Sequence, residues 1–155
     1  MKADAAMSYT RDLVERVTGS RPDPDQDGDL PIRLGGALFY ARIMGDSASW
    51  VQVSYVAAAE VEHSAKLAVA LNDINRQWGF ARTSWTGGQV LFESDIWADD
   101  LNPANFNHAC RNIAGATDAF APRILSDFGG RPVFQESKDG EYQDTWESRG
   151  FGFYL

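Results

Sequence analysis

The stretch LPIRLGGALFYARIMGDSASWVQVSYV, residues 30–56, decides the fold. Leu30, Ile32 and Leu34 alternate with Pro31 and Arg33, the period of a strand with one buried face. Pro31 cannot donate to a ladder, which suits a strand at a sheet edge. Gly35-Gly36 reads as a two-residue hairpin loop, because both central positions of a type I′ turn need positive φ. Ala37 to Met44 returns as a second strand. Gly45-Asp46-Ser47 turns the chain again, and Trp50 to Val56, rich in β-branched and aromatic residues, forms a third. Strands joined this tightly must run antiparallel.

Helical periods flank this block. Upstream, Ala6, Tyr9, Leu13 and Val17 recur at three and four, with Val14 beside them. Ser8 could cap a shortened helix, and Gly19 stands where a left-handed residue ends one. Residues 20–29, SRPDPDQDGD, form a loop. Downstream, Leu67, Leu71, Ile74 and Trp78 make one stripe, with Gly79 at its end. Phe80 to Trp85 and Gln89 to Trp97 read as two more strands, joined through Gly87-Gly88. Asn102 is a helix N-cap with Pro103 at the first helical position, and Leu101 and Phe106 can close a hydrophobic staple across it. Phe106, Cys110, Ile113, Thr117, Phe120, Ile124 and Phe128 continue that helix face. Pro122 should kink it, and Gly129-Gly130 should close it. The order α-βββ-α-ββ-α predicts an α+β fold, an antiparallel sheet covered on one face by helices. The domain is expected over 1–135, with residues 136–155 as a polar tail ending in Phe151-Gly152-Phe153-Tyr154-Leu155.

Composition narrows the function. With 155 residues and 44% hydrophobic content, the chain can fold as one domain with a sizeable core. No apolar run is long enough to cross a membrane, and Met1-Lys2-Ala3-Asp4 opens no secretory signal. Twenty-two Asp+Glu against fourteen Lys+Arg give a net charge of −8. That balance disfavours nucleic acid and anionic membrane as partners, because phosphate binding needs clustered cations. A single cysteine and no export signal fit the cytoplasm.

Catalytic patterns are weak. No phosphate-binding glycine loop and no G-x-S-x-G elbow occur. His63, His108 and Cys110 have no zinc spacing, and Cys110 falls on an apolar stripe. Glu93 and Asp95 share one strand face, which more often means a wet surface than an acid–base pair. No cofactor is implied and an enzyme is the least favoured class. Asp23, Asp25, Asp27 and Gly28 match the opening of a D-x-D-x-D-G calcium loop, yet position twelve is Leu34, where a bidentate glutamate belongs. A solvated acidic turn explains the same residues.

Strand parity points elsewhere. If Phe39, Val53 and Phe92 face the helices, then Leu38, Tyr40, Met44, Trp50, Leu91 and Trp97 share the opposite face. An outer face this apolar suggests a surface for another polypeptide or for a second copy of the chain.

The phrases DQDGDLPIRLGGALFYARI (25–43), LAVALNDINRQWGFART (67–83), GGQVLFESDIW (87–97) and DFGGRPVF (127–134) together resemble the YbjN and type III secretion chaperone-like family. The resemblance spans about residues 8–135. Asp27-Gly28-Asp29, Leu71-Asn72-Asp73-Ile74-Asn75 and Phe128-Gly129-Gly130 are its most specific pieces. It implies a homodimeric, non-enzymatic module that holds another polypeptide in extended form. The alternative within the same resemblance is a stress-response regulator whose apolar sheet face is the dimer interface.

Overall fold

The structure, a computed structural model, describes residues 1–34, 37–45 and 50–133. The Gly35-Gly36 loop, the turn at Asp46-Ser47 and the tail with its Phe151–Leu155 ending lie outside the described residues.

Helix α1 (Ala3–Thr18) precedes strands β1 (Leu30–Leu34), β2 (Ala37–Met44) and β3 (Trp50–Ala58). Helix α2 (Ala65–Gln77), strands β4 (Arg82–Thr86) and β5 (Gln89–Trp97), and helix α3 (Pro103–Phe128) complete the order. The five strands form one antiparallel sheet in the order β1-β2-β3-β5-β4. This is the expected α+β arrangement. Gly87 and Gly88 have φ of 54° and 83°, so the β4–β5 hairpin uses the two positive-φ positions expected of its loop.

The helices divide one sheet face among them. Helix α3 lies across the central strands β3 and β5, α1 covers β1 and β2, and α2 rests on β4 at the edge. Phe39, Val51, Val53 and Phe92 from the sheet meet Leu13, Phe106, Ile113 and Ile124 from the helices, all buried. Trp78 stands edge-on to Phe120 with ring centroids 5.8 Å apart. Gly115 makes this possible, since a Cβ there would come within 3.0 Å of the Trp78 ring.

Several element ends differ from expectation. Helix α1 starts at Ala3 and carries Ser8 inside it, because the helical pattern extends a turn further back; no side chain caps its start. Ser64 caps α2 instead, its hydroxyl accepting from the Leu67 N–H at 3.1 Å. Trp78 ends α2 in an extended conformation, so Gly79 is not the left-handed cap expected there. Strand β4 begins at Arg82 rather than Phe80. Strand β3 runs on to Ala58 after an irregularity between Val56 and Ala58. Helix α3 passes through Pro122 without interruption to Phe128. Its Asn102 cap is as expected, accepting from the Asn105 N–H at 3.0 Å. Past α3, Gly130 passes so close to β3 that a Cβ would sit 2.5 Å from the Ala59 carbonyl oxygen. That approach lets Arg131 and Ala59 exchange two backbone hydrogen bonds, of 2.8 and 2.9 Å.

Candidate partner-binding face

The sheet face opposite the helices carries all six residues singled out by parity. They do not form one patch. Met44 pairs with Trp50 and Trp50 with Trp97, which makes an apolar rung at one end of β2, β3 and β5. The two indole rings stand edge to face, 6.1 Å apart, and Trp97 is 61% exposed. At the other end Leu91 pairs with Val56, and Leu38 pairs with Arg33 on the outermost strand. Tyr40 lies between, opposite Pro31 on one side and Ser54 on the other. Trp50 and Val56 are six residues apart on one strand, so the two apolar ends stand about 20 Å apart.

A polar band separates them. Arg42, Gln52 and Asp95 occupy one cross-strand row. The Arg42 Nε donates to Asp29 Oδ1 at 2.6 Å, and its second nitrogen bonds the other carboxylate oxygen. The Gln52 amide donates to Asp95 Oδ1 at 3.2 Å. Arg82 reaches over from β4 to ion-pair with both Asp95 and Glu93. Hydrogen bonds to Asp29 and to Asp95, respectively, raise the pKa of Arg42 and Arg82 above the ordinary guanidinium value. Glu93 and Asp95 therefore serve as partners for one arginine. In the sequence only the Glu93–Asp95 spacing on β5 hinted at this band; its members meet through register.

The other expected sites are placed as follows. Asp25 Oδ1 accepts from the N–H groups of Asp27 and Asp29, at 3.0 and 2.8 Å, closing the acidic loop on itself. Asp23 accepts from Arg11 at 2.9 Å. Among the described residues no group of three or more His, Cys, Asp or Glu could hold a metal ion. His63 precedes α2 and packs edge-on to Trp85 with centroids 5.0 Å apart. His108 is on α3, facing the exposed Phe80. Cys110 is fully buried, and burial pushes its thiol up to about 12. No helix of the described residues is long and apolar enough to cross a membrane.

Among the described residues, helices cover one face of the antiparallel sheet and the other presents an amphipathic surface. The family described as T3SS (YopN, CesT) and YbjN peptide-binding chaperone 1, TY-Chap1, matches residues 4–136. The chain belongs to this family. No curated protein matches it. Among solved structures, the TY-Chap1 chain is similar to the one titled Crystal Structure of the ExsC-ExsE Complex, with a TM-score of 0.60 at 14% identity. That match covers 79% of this chain and 96% of the other. A second, titled Structure of the HopA1-SchA Chaperone-Effector Complex, gives a TM-score of 0.57 at 8% identity, covering 79% of this chain and 98% of the other. At such identities the likeness concerns the fold. The TY-Chap1 fold thus accounts for the three helices and five strands, and the resemblance carried by residues 25–43, 67–83 and 87–97 holds.

Sequence reasoning missed two features of this TY-Chap1 chain. The first is Asn75 on α2. Its Oδ1 accepts from the Thr83 N–H at 2.7 Å and its Nδ2 donates to the Thr83 carbonyl at 3.0 Å. One carboxamide thereby takes the place of a neighbouring strand on the edge of β4. An asparagine in a helix carries no sequence mark of that role. The second is Phe80, 72% exposed, which was expected to open a strand and instead stands outside the ladder.

Proposed function

We propose that this protein is a peptide-binding chaperone module of the cytoplasm, non-enzymatic and without a cofactor, which holds a stretch of another polypeptide against the outer sheet face. The observation that carries the reading is the division of the sheet by parity. The helix side is filled, while the outer side keeps Trp50, Trp97 and Met44 at one end and Leu38, Val56 and Leu91 at the other. An extended chain crossing between them would place apolar side chains about six residues apart and polar ones over the Arg42–Asp95 band. Family membership supports a polypeptide partner. So does the second structural relative, whose title names a chaperone–effector complex. The domain is taken to span residues 1–135, with the remainder a separate tail. The working form is taken to be a homodimer.

The test is direct. A polypeptide identified with the wild-type chain is titrated calorimetrically into a Trp50→Ala/Leu91→Asp variant. Loss of more than about tenfold in affinity is expected for a central aromatic anchor. An unchanged Kd shows that the outer face is not the site. Mass in solution reports the dimer; if the dimer itself buries Trp50, the face is an interface between copies and not a client site.

A further inference from the structure

The outer sheet face carries its apolar and charged groups in a fixed order. The chain leaves α3 for the Val56–Leu91 end of the sheet, where Arg131 bonds Ala59 just past β3 and Val133 is 42% exposed. Along β5 from that end, Leu91 comes first, then Glu93 and Asp95, then Trp97 beside Trp50 and Met44. Arg82 ion-pairs with both Glu93 and Asp95, so one cation serves two carboxylates there. Trp97, 61% exposed, closes the series.

The sequence beyond Val133 repeats that order. Residues 134–148 supply length, Arg149 follows, and Phe151, Phe153 and Leu155 come next at alternate positions. The family match ends at residue 136, so this pattern belongs to the chain and not to the family model. In an extended segment Arg149, Phe151, Phe153 and Leu155 fall on one side, and Arg149 and Phe151 stand about 7 Å apart. Asp95 and Trp97 are likewise two residues apart on one strand face, at the same separation. The Trp50–Trp97 rung lies about 20 Å from the end where Val133 sits. The fifteen residues 134–148 span up to about 50 Å, so the tail reaches the rung with slack.

We propose that residues 149–155 of the same chain dock on the outer face as an internal occupant that a client must displace. Arg149 lies against Asp95 and Glu93, and Phe151 and Phe153 lie on the Trp50–Trp97–Met44 rung. The inference rests on the polypeptide-binding reading above and adds its regulation. Arg149 supplies a second cation where two carboxylates share one, and the phenyl rings cover indole surface that is otherwise wet. Coming from the Val56–Leu91 end, the tail meets the carboxylates before the tryptophans, as its own order of Arg149 before Phe151 requires. A tethered segment is present at a local concentration in about the millimolar range, so weak contacts suffice to hold it. A second copy of the chain lacks that advantage, and its net charge of −8 opposes approach.

The probe is a fluorescein-labelled peptide of residues 144–155, titrated by anisotropy into the full chain and into a full-chain Phe151→Ser/Phe153→Ser variant. The variant, whose own tail no longer competes, should bind the probe about tenfold or more tighter than the wild type. Adding Trp50→Ala to that variant should abolish the gain. A nitroxide on Ser148→Cys, selective because Cys110 is buried, should broaden the indole signals of Trp50 and Trp97 more than that of Trp78. An isotope-labelled chain without nitroxide, mixed with a nitroxide-bearing one, should stay sharp. The proposal is overturned if the probe binds neither protein, if it binds both equally, or if Trp50→Ala leaves the gain intact. Broadening that passes from one chain to another also overturns it, since the occupant is then a second copy. The two readings fail separately. A larger partner that loses affinity for the Trp50→Ala/Leu91→Asp variant, yet binds the tail variant no tighter than the wild type, leaves the face and removes the tail. A partner indifferent to Trp50→Ala/Leu91→Asp removes the face itself.

Discussion

The two faces of the sheet are built from the same strands, one residue out of phase, and they follow different rules. On the helix side Phe39, Val51, Val53 and Phe92 are at most 1% exposed and interlock with three helices. On the outer side the apolar residues sit in two groups, and the strip between them is spanned by Arg42–Asp29, Gln52–Asp95 and Arg82 with two carboxylates. The first face is filled because voids there cost contacts. The second keeps its charges in pairs, which lets them lie on a partly buried surface without leaving an isolated ion. The difference teaches that side-chain alternation separates a tightly packed surface from an exposed one along one strand. Neighbouring positions such as Ile96 and Trp97 then differ from buried to largely exposed.

Substitutions can break this contrast. The largest effect is expected from Val53→Asp, which puts a charge into the helix-covered side with no partner. Cooperative unfolding, followed by circular dichroism, should be lost, since several kcal/mol exceeds most of a small domain's stability. Phe92→Ala should lower unfolding free energy by about 3–5 kcal/mol in a denaturant titration, through lost burial and a cavity. Asn75→Ala should cost about 1–2 kcal/mol and speed exchange of the Thr83 amide, because the β4 edge loses its stand-in strand. On the outer face, Trp97→Ala should change stability by about 1 kcal/mol or less while weakening polypeptide binding. If Trp97→Ala destabilised the fold as much as Phe92→Ala, the division between the faces would be wrong.

Cys110 sharpens the same contrast chemically. Burial raises its pKa to about 12, above the ordinary thiol value, so the folded protein carries less thiolate at pH 8 than the unfolded chain does. Labelling by a thiol reagent at that pH should be slower in the native state by about a thousandfold or more, and should become fast in denaturant. Rapid native labelling would mean that the helix side opens readily.

Much of the fold was legible because the signals are local. The Leu30–Pro31–Ile32 alternation, the Gly87-Gly88 loop and the Asn102-Pro103 start each depend on residues a few positions apart, and each element appears where they place it. Errors fell at element ends. Ser8 and Gly79 have the chemistry of caps, but a longer helix and an extended Trp78 took over those places. Side-chain parity on β2, β3 and β5 was also legible, since successive residues on a strand must point to opposite faces.

The sequence by itself determined which elements form, which side of each strand is apolar, and an acidic surface unsuited to phosphate. Only the tertiary structure decided how the rows align. Register set Trp50 beside Trp97, drew Arg82 to Asp95, placed Asn75 on Thr83, and left β5 four residues longer than β4. These pairings join residues from 8 to 47 positions apart in the chain. Such contacts depend on how several elements pack at once, and the local pattern that makes a strand carries no information about the neighbour that will flank it.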